Sequence, residues 1–422
     1  MMTREQTRIG LSSVFLFFAI FGWKLSPILD LSVLACLPVY VYAFRNVKDL
    51  ASTITSSLAI SIPLFLLVIY CAITFLLNEP ASVQWLLRNV RASITFGAIY
   101  ILVRGILISG TNPVHDRLII AVALIISLHA MIAVASQFLS DFRHIIYSAT
   151  DAAAYVNQSV LALENRPLGL TYSLALTSFL YFCAVAILVA IPAKTPFLLV
   201  SKISLIALNI VACTLTARTG LIFLPLILLA FYQKALGRSK KQIALGLIFF
   251  ALVCLLSALA IYFGPHSTRT LTIRFVEFWL MMTNPAESYF VQQFTTMWHL
   301  PNDWHKLLFG NSLTGREDRH YVASDIGYIL TIYGVGVLGQ LLMLLPVLIG
   351  GYASLRLLRK NQTYARLSLV ILFSYLVLNV KELALLTRTV WPVVCVFISI
   401  SLLEYQAQRK RQDGNETGQQ TA

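Results

Sequence analysis

Apolar stretches long enough to cross a lipid bilayer recur along the whole chain, and polar residues gather in the segments between them. A helix needs about 20 apolar residues to cross about 30 Å of hydrocarbon, and backbone groups inside lipid must find their hydrogen-bond partners within the spanning structure. The pattern therefore predicts an all-α, polytopic integral membrane protein with about twelve transmembrane helices. They are expected at residues 9–23, 26–44, 56–77, 93–109, 118–137, 170–192, 197–215, 220–233, 243–263, 327–353, 364–381 and 389–404.

The composition of the chain excludes a soluble domain. Hydrophobic residues make up 58% of the sequence, charged residues only 12%, and the mean hydropathy is +0.78, whereas soluble domains have about 25% charged residues. All six cysteines fall inside predicted spans. The sequence therefore predicts no disulfide framework and no cysteine metal site.

The distribution of Lys and Arg predicts the orientation. These residues are denser in the loops that share a side with the N-terminus, which places both termini in the cytoplasm by the positive-inside rule. Two sizeable loops, 138–169 and 264–326, then face outward, and the aromatic content of the second is typical of an ordered cap. The chain divides into nine N-terminal spans (1–263), the large outer loop (264–326), three C-terminal spans (327–404) and a cytoplasmic tail (405–422), of which the polar end is expected to be disordered.

Two segments near the middle of the chain place an arginine at a predicted outer membrane boundary. Arg166 lies in segment 165–172, before the sixth span, and Arg218 lies in the turn 216–220, between two spans with hardly any loop. In so short a turn, Arg218 is held at headgroup level and partly desolvated, so its pairing with an anion is stronger than in open water. The alternative is an ordinary interfacial arginine whose side chain extends into solvent.

A third segment, 274–279, lies in the long outer loop and contains Arg274 and Glu277. This spacing suits an anion-binding arginine on a short helix. It suits equally an i,i+3 surface salt bridge, which is a common feature of exposed helices. The residues alone leave both interpretations open.

The fourth segment, 308–328, leads from that loop into the tenth span and contains Arg319, His320 and Asp325. A carboxylate at the mouth of a membrane helix is either an N-cap, a position that Asp favours, or a general base. His320 is the second candidate base, because an unperturbed histidine titrates near neutral pH.

In this order, the four segments resemble the O-antigen polymerase and ligase superfamily, which includes Wzy-type polysaccharide polymerases. That family has an R-x-x-G segment entering a span, a T-G turn that contains an arginine, an outer helix with an arginine, and an apolar-apolar-Gly element before a Gly-rich span. The resemblance covers about residues 160–340. Ligases of the family usually have His-Asn before the Gly-rich span, whereas this chain has Ser324-Asp325, so it looks more like the polymerase branch.

The resemblance implies a GT-C-like fold in the bacterial inner membrane and an activity at its periplasmic face. The expected reaction polymerises undecaprenyl-diphosphate-linked oligosaccharide repeat units into O-antigen, capsule or exopolysaccharide. It implies a glycosyltransferase that needs no cofactor, and no acidic pair with D-x-D spacing stands in the predicted outer loops to hold a metal. Partners implied are the lipid bilayer, a chain-length regulator and a flippase, with no nucleic acid.

The resemblance also assigns roles to candidate residues. Arginines would neutralise the departing diphosphate, since their planar forks bind phosphate oxygens with two hydrogen bonds, and a base would activate the acceptor hydroxyl. The assigned residues are Arg218 and Arg274 for the diphosphate, Arg166 and Arg319 in support, Asp325 as the base and His320 as the alternative base.

Polar residues near or inside predicted spans keep other classes of protein open. Arg104 and the pair Lys381-Glu382 could belong to the ion path of a transporter or flippase, although no internal repeat accompanies them. An O-antigen ligase and a membrane scaffold are further alternatives, and a scaffold would have no indispensable outer arginine. His129, within the fifth span, is expected to be a hydrogen-bonded core residue.

Overall fold

Helices and turns, with no β-strand, make up the part of the chain that the computed structural model describes. This confirms the predicted all-α class. The described residues are 4–22, 30–45, 47–78, 82–109, 113–150, 169–171, 173–193, 195–217, 219–236, 283–284, 286–287, 289–312, 324–359 and 362–420.

The N-terminal helices follow the predicted spans with one difference. The second span, 26–44, is divided into two helices, because the side chain of Asp30 caps the first and Pro38 lies in the opening turn of the second. The predicted outer loop 138–169 begins as a helix. The bounds are α1 (Arg4–Phe21), α2 (Leu31–Leu34), α3 (Leu37–Phe44), α4 (Val47–Leu77), α5 (Gln84–Ser109), α6 (Pro113–Phe138) and α7 (Ser140–Ala149).

The remaining helices include two short ones within the predicted outer loop 264–326, the second of which packs against the long helix that follows it. The bounds are α8 (Leu174–Ala190), α9 (Pro196–Thr216), α10 (Thr219–Ile222), α11 (Leu224–Leu236), α12 (Tyr289–Thr296), α13 (Trp304–Phe309), α14 (Gly327–Leu357), α15 (Gln362–Leu378) and α16 (Trp391–Gln420). The polar tail was predicted to be disordered, and this is wrong for the residues up to Gln420. It extends α16, and adding a residue to an existing helix is much easier than nucleating a new one.

Among the described residues, five helices are long and apolar enough to cross a membrane, and several shorter apolar helices accompany them. Every predicted span overlaps one or two helices except 243–263, which lies outside the described residues. The architecture is that of a membrane-embedded helical protein. The five long segments are Leu50–Leu77, Gln84–Leu107, Asp116–Phe138, Pro196–Thr216 and Gly327–Leu357.

The core of the bundle is formed around α8 and the first half of α16. Almost every residue of α8 is buried, and so is every residue from Trp391 to Leu402. A helix that is apolar on all sides belongs inside a bundle rather than at its surface. Both helices begin at the same end of the bundle, where the polar contacts described below are found.

The long helix α14 is broken at Gly336, whose φ of 67° and ψ of 179° are not helical. The break leaves carbonyl groups of the preceding turn without helical donors. Asn311 N–H donates to the carbonyl of Tyr333 and Ser312 N–H to the carbonyl of Gly334, both at 2.9 Å. Irregular backbone inside a membrane protein is tolerated where protein groups satisfy it in this way.

The residues just after α13 fit against this break because both contact points are glycines. Gly310 has φ 72°, and a Cβ on either Gly310 or Gly336 would meet the backbone of the other segment. Tyr70 of α4 closes the junction, with its hydroxyl 2.9 Å from the carbonyl oxygen of Phe309 and 3.0 Å from that of Val335. The apolar-apolar-Gly element and the Gly-rich span of the sequence therefore pack directly against each other.

Candidate functional site

The loop between α15 and α16, residues 379–390, is held in one conformation by buried hydrogen bonds. The side-chain oxygen of Asn379 accepts from Ala384 N–H at 2.9 Å. The hydroxyl of Tyr375 donates to the carbonyl of Ala384 at 3.1 Å and accepts from Leu386 N–H at 2.8 Å. Leu386 has φ 56°, a left-handed conformation that a non-glycine residue keeps only when its surroundings impose it. The loop is thus a rigid part of the core.

The start of this loop contacts one of the segments singled out from the sequence and the residue that directly follows another. Ser173, next to the first segment, donates from its Oγ to Glu382 Oε2 at 2.7 Å. Lys381 Nζ donates to Thr219 Oγ1, within the T-G turn, at 3.1 Å. The Lys381-Glu382 pair therefore connects the entry of α8 to the turn between α9 and α10.

A third segment, the beginning of α14, meets the same loop. Tyr328 N–H donates to the carbonyl of Asn379 at 3.2 Å. Gly327 lies so close to the loop that an added Cβ would meet the side-chain oxygen of Asn379 and the carbonyl of Glu382. Three of the four segments, the first of them through Ser173 directly after it, thus converge on residues 379–390.

The T-G turn is attached to the core through α8. Ser178 Oγ accepts from Gly220 N–H at 2.8 Å and donates to the carbonyl of Ala217. A Cβ on Gly220 would meet the carbonyl of Ser178, so only glycine permits this approach. The residues on either side of Arg218 are consequently fixed, Ala217 by Ser178 and Thr219 by the lysine of the loop.

The glycine of the first segment is explained by His129. Gly169 has φ 60° and packs against the imidazole, and Leu170 N–H donates to His129 Nε2 at 2.9 Å. The other ring nitrogen is 3.0 Å from the hydroxyl of Tyr181, and the ring stacks on Phe21 with centroids 4.3 Å apart. His129 is therefore a hydrogen-bonded core residue, and that prediction is confirmed.

A second polar cluster at this end of the bundle joins the loop to α2 and α5. Asp30 Oδ2 lies 2.7 Å from Arg91 Nη1 and 3.7 Å from Arg388 Nη1, and the three side chains are 7%, 18% and 8% exposed. Ser32 Oγ donates to the other carboxylate oxygen at 2.6 Å. Burial lowers the pKa of Arg388 to about 10, although the attraction of Asp30 opposes this. One carboxylate between two guanidinium groups leaves the cluster with an excess of positive charge.

Another cation stands near this loop on the first turns of α5. The guanidinium of Arg88 lies 5.2 Å from the ring centroid of Trp85, within the range of a cation–π contact. Trp85 packs against Gly334 of α14, and Arg88 is within electrostatic range of the Tyr375 hydroxyl. The end of the bundle around residues 379–390 is therefore rich in cationic side chains.

Asp325 is the one predicted site residue among those that the structure describes. It is half-buried and stands one residue before Ile326, which occupies the N-cap position of α14. Ile326 N–H donates to Ser324 Oγ at 3.1 Å, and Tyr328 N–H donates to the carbonyl of Asn379. Asp325 is not at the N-cap position, so the interpretation of this residue as the helix cap is wrong.

The other predicted site residues lie outside the described residues: Arg166, Arg218, Arg274, Arg319 and His320. For these residues, the structure shows only where the described neighbours in their segments lie. Segment 274–279 also lies outside the described residues.

Sequence reasoning missed most of the cluster that the structure reveals. Lys381 and Glu382 were noticed only as possible ion-path residues, and their contacts with distant segments could not be foreseen from their position. Asp30, Arg91 and Arg388 had no motif around them. The one available signal was that each stands near the end of a predicted span, where placing a charge costs less free energy than in the middle of the bilayer.

The described part of the chain brings no three His, Cys, Asp or Glu side chains together as a metal site would require. Compared with known proteins, the chain matches no protein-family model and no curated protein.

Proposed function

We propose that this protein polymerises undecaprenyl-diphosphate-linked oligosaccharide units on the outer face of the bacterial inner membrane. The observation that carries the proposal is the convergence of three motif segments on the cation-rich loop 379–390. In this proposal the chain has about twelve spans in a GT-C-like arrangement. Loop 264–326 forms a periplasmic cap over the site, and both termini are cytoplasmic.

The electrostatics of the site suit a diphosphate leaving group. The acceptor hydroxyl oxygen bonds to the anomeric carbon of the donor sugar while the bond from that carbon to the diphosphate oxygen breaks. The electron pair leaves with the lipid diphosphate, where negative charge accumulates and must be stabilised. The cations Lys381, Arg91 and Arg388 outnumber the neighbouring carboxylates of Asp30 and Glu382, and this excess of positive charge favours an anionic leaving group. Arg218 and Arg274, assisted by Arg166 and Arg319, bind the diphosphate directly.

The acceptor proton needs a base. Asp325 takes this role in the proposal, because it precedes the glycine that lies against Asn379 and Glu382 and because its side chain is only half-buried. A positioned base contributes about 10²–10⁴-fold to such a step. His320 is the alternative.

Deletion of the gene, followed by electrophoresis of the surface polysaccharide, tests the proposed function. We expect single repeat units in place of long chains, with long chains restored by the wild-type gene. A lipid core that carries no repeat unit would instead identify a ligase, and lipid-linked units accumulating in the cytoplasm would identify a flippase. Unchanged long chains would refute all three.

The proposed orientation has its own test. Glu287 and Arg359 are exposed and stand toward opposite ends of the bundle, and the five described cysteines are all buried. Single cysteines at these two positions should react oppositely with an impermeant thiol reagent applied to whole cells, with only Glu287→Cys labelled. Labelling of Arg359→Cys alone would invert the orientation and remove the site from the outer face.

A further inference from the structure

A basic cavity lies between α4, α5 and α16, at the end of the bundle opposite to loop 379–390. Its volume is about 510 Å³, within the roughly 300–1,000 Å³ of small-molecule sites. Arg104 is on α5, the helix that also carries Arg91, and the two are separated by about 20 Å at 1.5 Å per residue. The cavity is therefore distinct from the site described above. Its described lining residues are Ser52, Thr55, Ser56, Arg104, Gln406, Arg409 and Lys410.

The geometry points to a binding site for the phosphate of an anionic phospholipid headgroup. Three of the described lining residues are cations, and none is a carboxylate. Hydroxyl groups and an amide complete the lining. The hydroxyls of Thr55 and Ser56 already donate to the carbonyls of Ala51 and Thr53, so the phosphate would be bound mainly by the three cations and by the second amide hydrogen of Gln406. A cavity with this charge and these donors has the chemistry of an anion site.

Arg104 is the fixed element of this site. Its Nη1 donates to Ser56 Oγ at 2.7 Å and its Nη2 donates to Ser52 Oγ at 2.6 Å. Each terminal nitrogen of a guanidinium carries two hydrogens, so these two bonds do not use all of its donors, although the Tyr100 hydroxyl also interacts with Arg104. Gln406 attaches α16 to the same wall, since its Nε2 donates to the carbonyl of Ser56 at 2.7 Å. Arg409 and Lys410 stand in the next turn of α16 and are exposed, free to close over a bound phosphate.

The neighbouring surface of α4 favours a lipid over a soluble phosphate. Ile54, Leu58 and Ile62 are all exposed and spaced by four residues, so they form an apolar stripe along one face of the helix. The stripe begins beside Ser52 and Thr55 and runs toward the middle of α4. A headgroup in the cavity would leave its acyl chains against this stripe. Basic pockets between membrane helices bind acidic lipid headgroups in the same manner.

Native mass spectrometry of the full chain in detergent tests this site. The protein is offered equal amounts of phosphatidylglycerol and phosphatidylcholine, and we expect it to retain phosphatidylglycerol. The double variant Arg409→Gln/Lys410→Gln and the single variant Arg104→Gln should each retain less, by about fivefold for each charge removed. Arg409 and Lys410 are exposed, so the double variant decides the question even if Arg104→Gln fails to fold.

Arg356→Gln is the matched control. Arg356 lies at the same end of the bundle, is exposed and bonds to the Tyr352 hydroxyl, but does not line the cavity. It should retain phosphatidylglycerol as the wild type does. Equal retention by the wild type, the double variant and Arg356→Gln would overturn the site. If inorganic phosphate alone binds the wild type as tightly as the lipid does, the ligand is a soluble phosphate and the lipid assignment is overturned.

Discussion

Ser173 and Glu382 are joined by a 2.7 Å hydrogen bond, although they stand 209 residues apart in the chain. The same hydroxyl of Ser173 caps α8 by accepting from Leu176 N–H. One side chain therefore both begins a central helix and fixes loop 379–390. The entry of α8 and this loop cannot move independently.

Replacing Ser173 with alanine should loosen both elements. A hydrogen bond to a charged group contributes about 1.5–3 kcal/mol, and a lost N-cap costs about 1 kcal/mol. We expect a lower thermal unfolding midpoint for the purified Ser173→Ala protein and shorter polysaccharide chains in cells. Ser173→Thr keeps the hydroxyl and should behave like the wild type. An unchanged midpoint for Ser173→Ala would show that the link contributes nothing to stability.

The contact between Lys381 and Thr219 can be isolated by a double-mutant cycle. Lys381→Met and Thr219→Val each remove one partner while keeping most of the side-chain volume. Residues in direct contact show coupling energies of about 0.5–3 kcal/mol, so the double variant should be destabilised less than the sum of the two single variants. The measurement is the free energy of unfolding of all four proteins in detergent. Strict additivity would mean that the two side chains do not interact.

Asp30→Asn should severely reduce the amount of protein in the membrane. Removing one partner of a buried ion pair costs about 3–5 kcal/mol, and here it leaves the guanidinium groups of Arg91 and Arg388 facing one another. Immunoblots of membranes give the protein level. Asp141→Asn, on the exposed face of α7, should accumulate normally. Normal accumulation of Asp30→Asn would show that the cluster tolerates its charge excess.

Asp325→Asn should show whether Asp325 is needed for the reaction rather than for folding. Asp325 is not at the N-cap position of α14, and the carbonyl of Asn379 accepts from the first turn of that helix. The variant is therefore expected to accumulate normally while polysaccharide collapses to single units, because Asn cannot accept a proton at neutral pH. Protein level and chain length are measured in the same cells. Long chains from Asp325→Asn would dismiss Asp325 as the base and make His320 the next residue to replace.

We expect Arg218→Ala to lose polymerising activity, and we expect Arg218→Lys not to regain it. Lysine supplies a point charge without the paired donors of a guanidinium, and loss of such a donor at a developing charge costs about 2–4 kcal/mol, roughly 30- to 1000-fold in rate. The rate of repeat-unit addition by membranes is the measurement. Arg143→Lys is the control, because Arg143 bonds to the carbonyls of Ser136 and Gln137 at the end of α6. Full activity of Arg218→Ala at normal protein level contradicts the assignment.

The positions of the helices were largely predictable, because burial in lipid imposes a long apolar stretch on each one. The break at Gly336 was not predicted. Two glycines in four residues are common in continuous membrane helices. Only the contacts of Asn311 and Ser312 with the carbonyls before Gly336 reveal that this helix is broken. Asp325 illustrates a local ambiguity of the same kind, since a helix can begin one residue later than its most suitable cap.

The candidate site was predictable as a set of segments but not as a set of contacts. The order of the arginine- and glycine-containing segments pointed to one end of the protein. Loop 379–390, which joins three of them, has no motif, and its contacts with Thr219 and Ser173 span 162 and 209 residues. Periodicity and spacing report only on neighbours along the chain, so partners at such separations could not be inferred from them.

The position of loop 379–390 determines when the site can form during synthesis. A ribosome adds about 5–20 residues each second, so Thr219 waits roughly 8–32 s for Lys381 to be made. Until then, Thr219 and Ser173 lack these partners, and the first turn of α14 lacks the carbonyl that it bonds to. The candidate site is completed only when the loop between α15 and α16 has been made, and a nascent chain that stops before this loop carries the motif segments without the element that joins them.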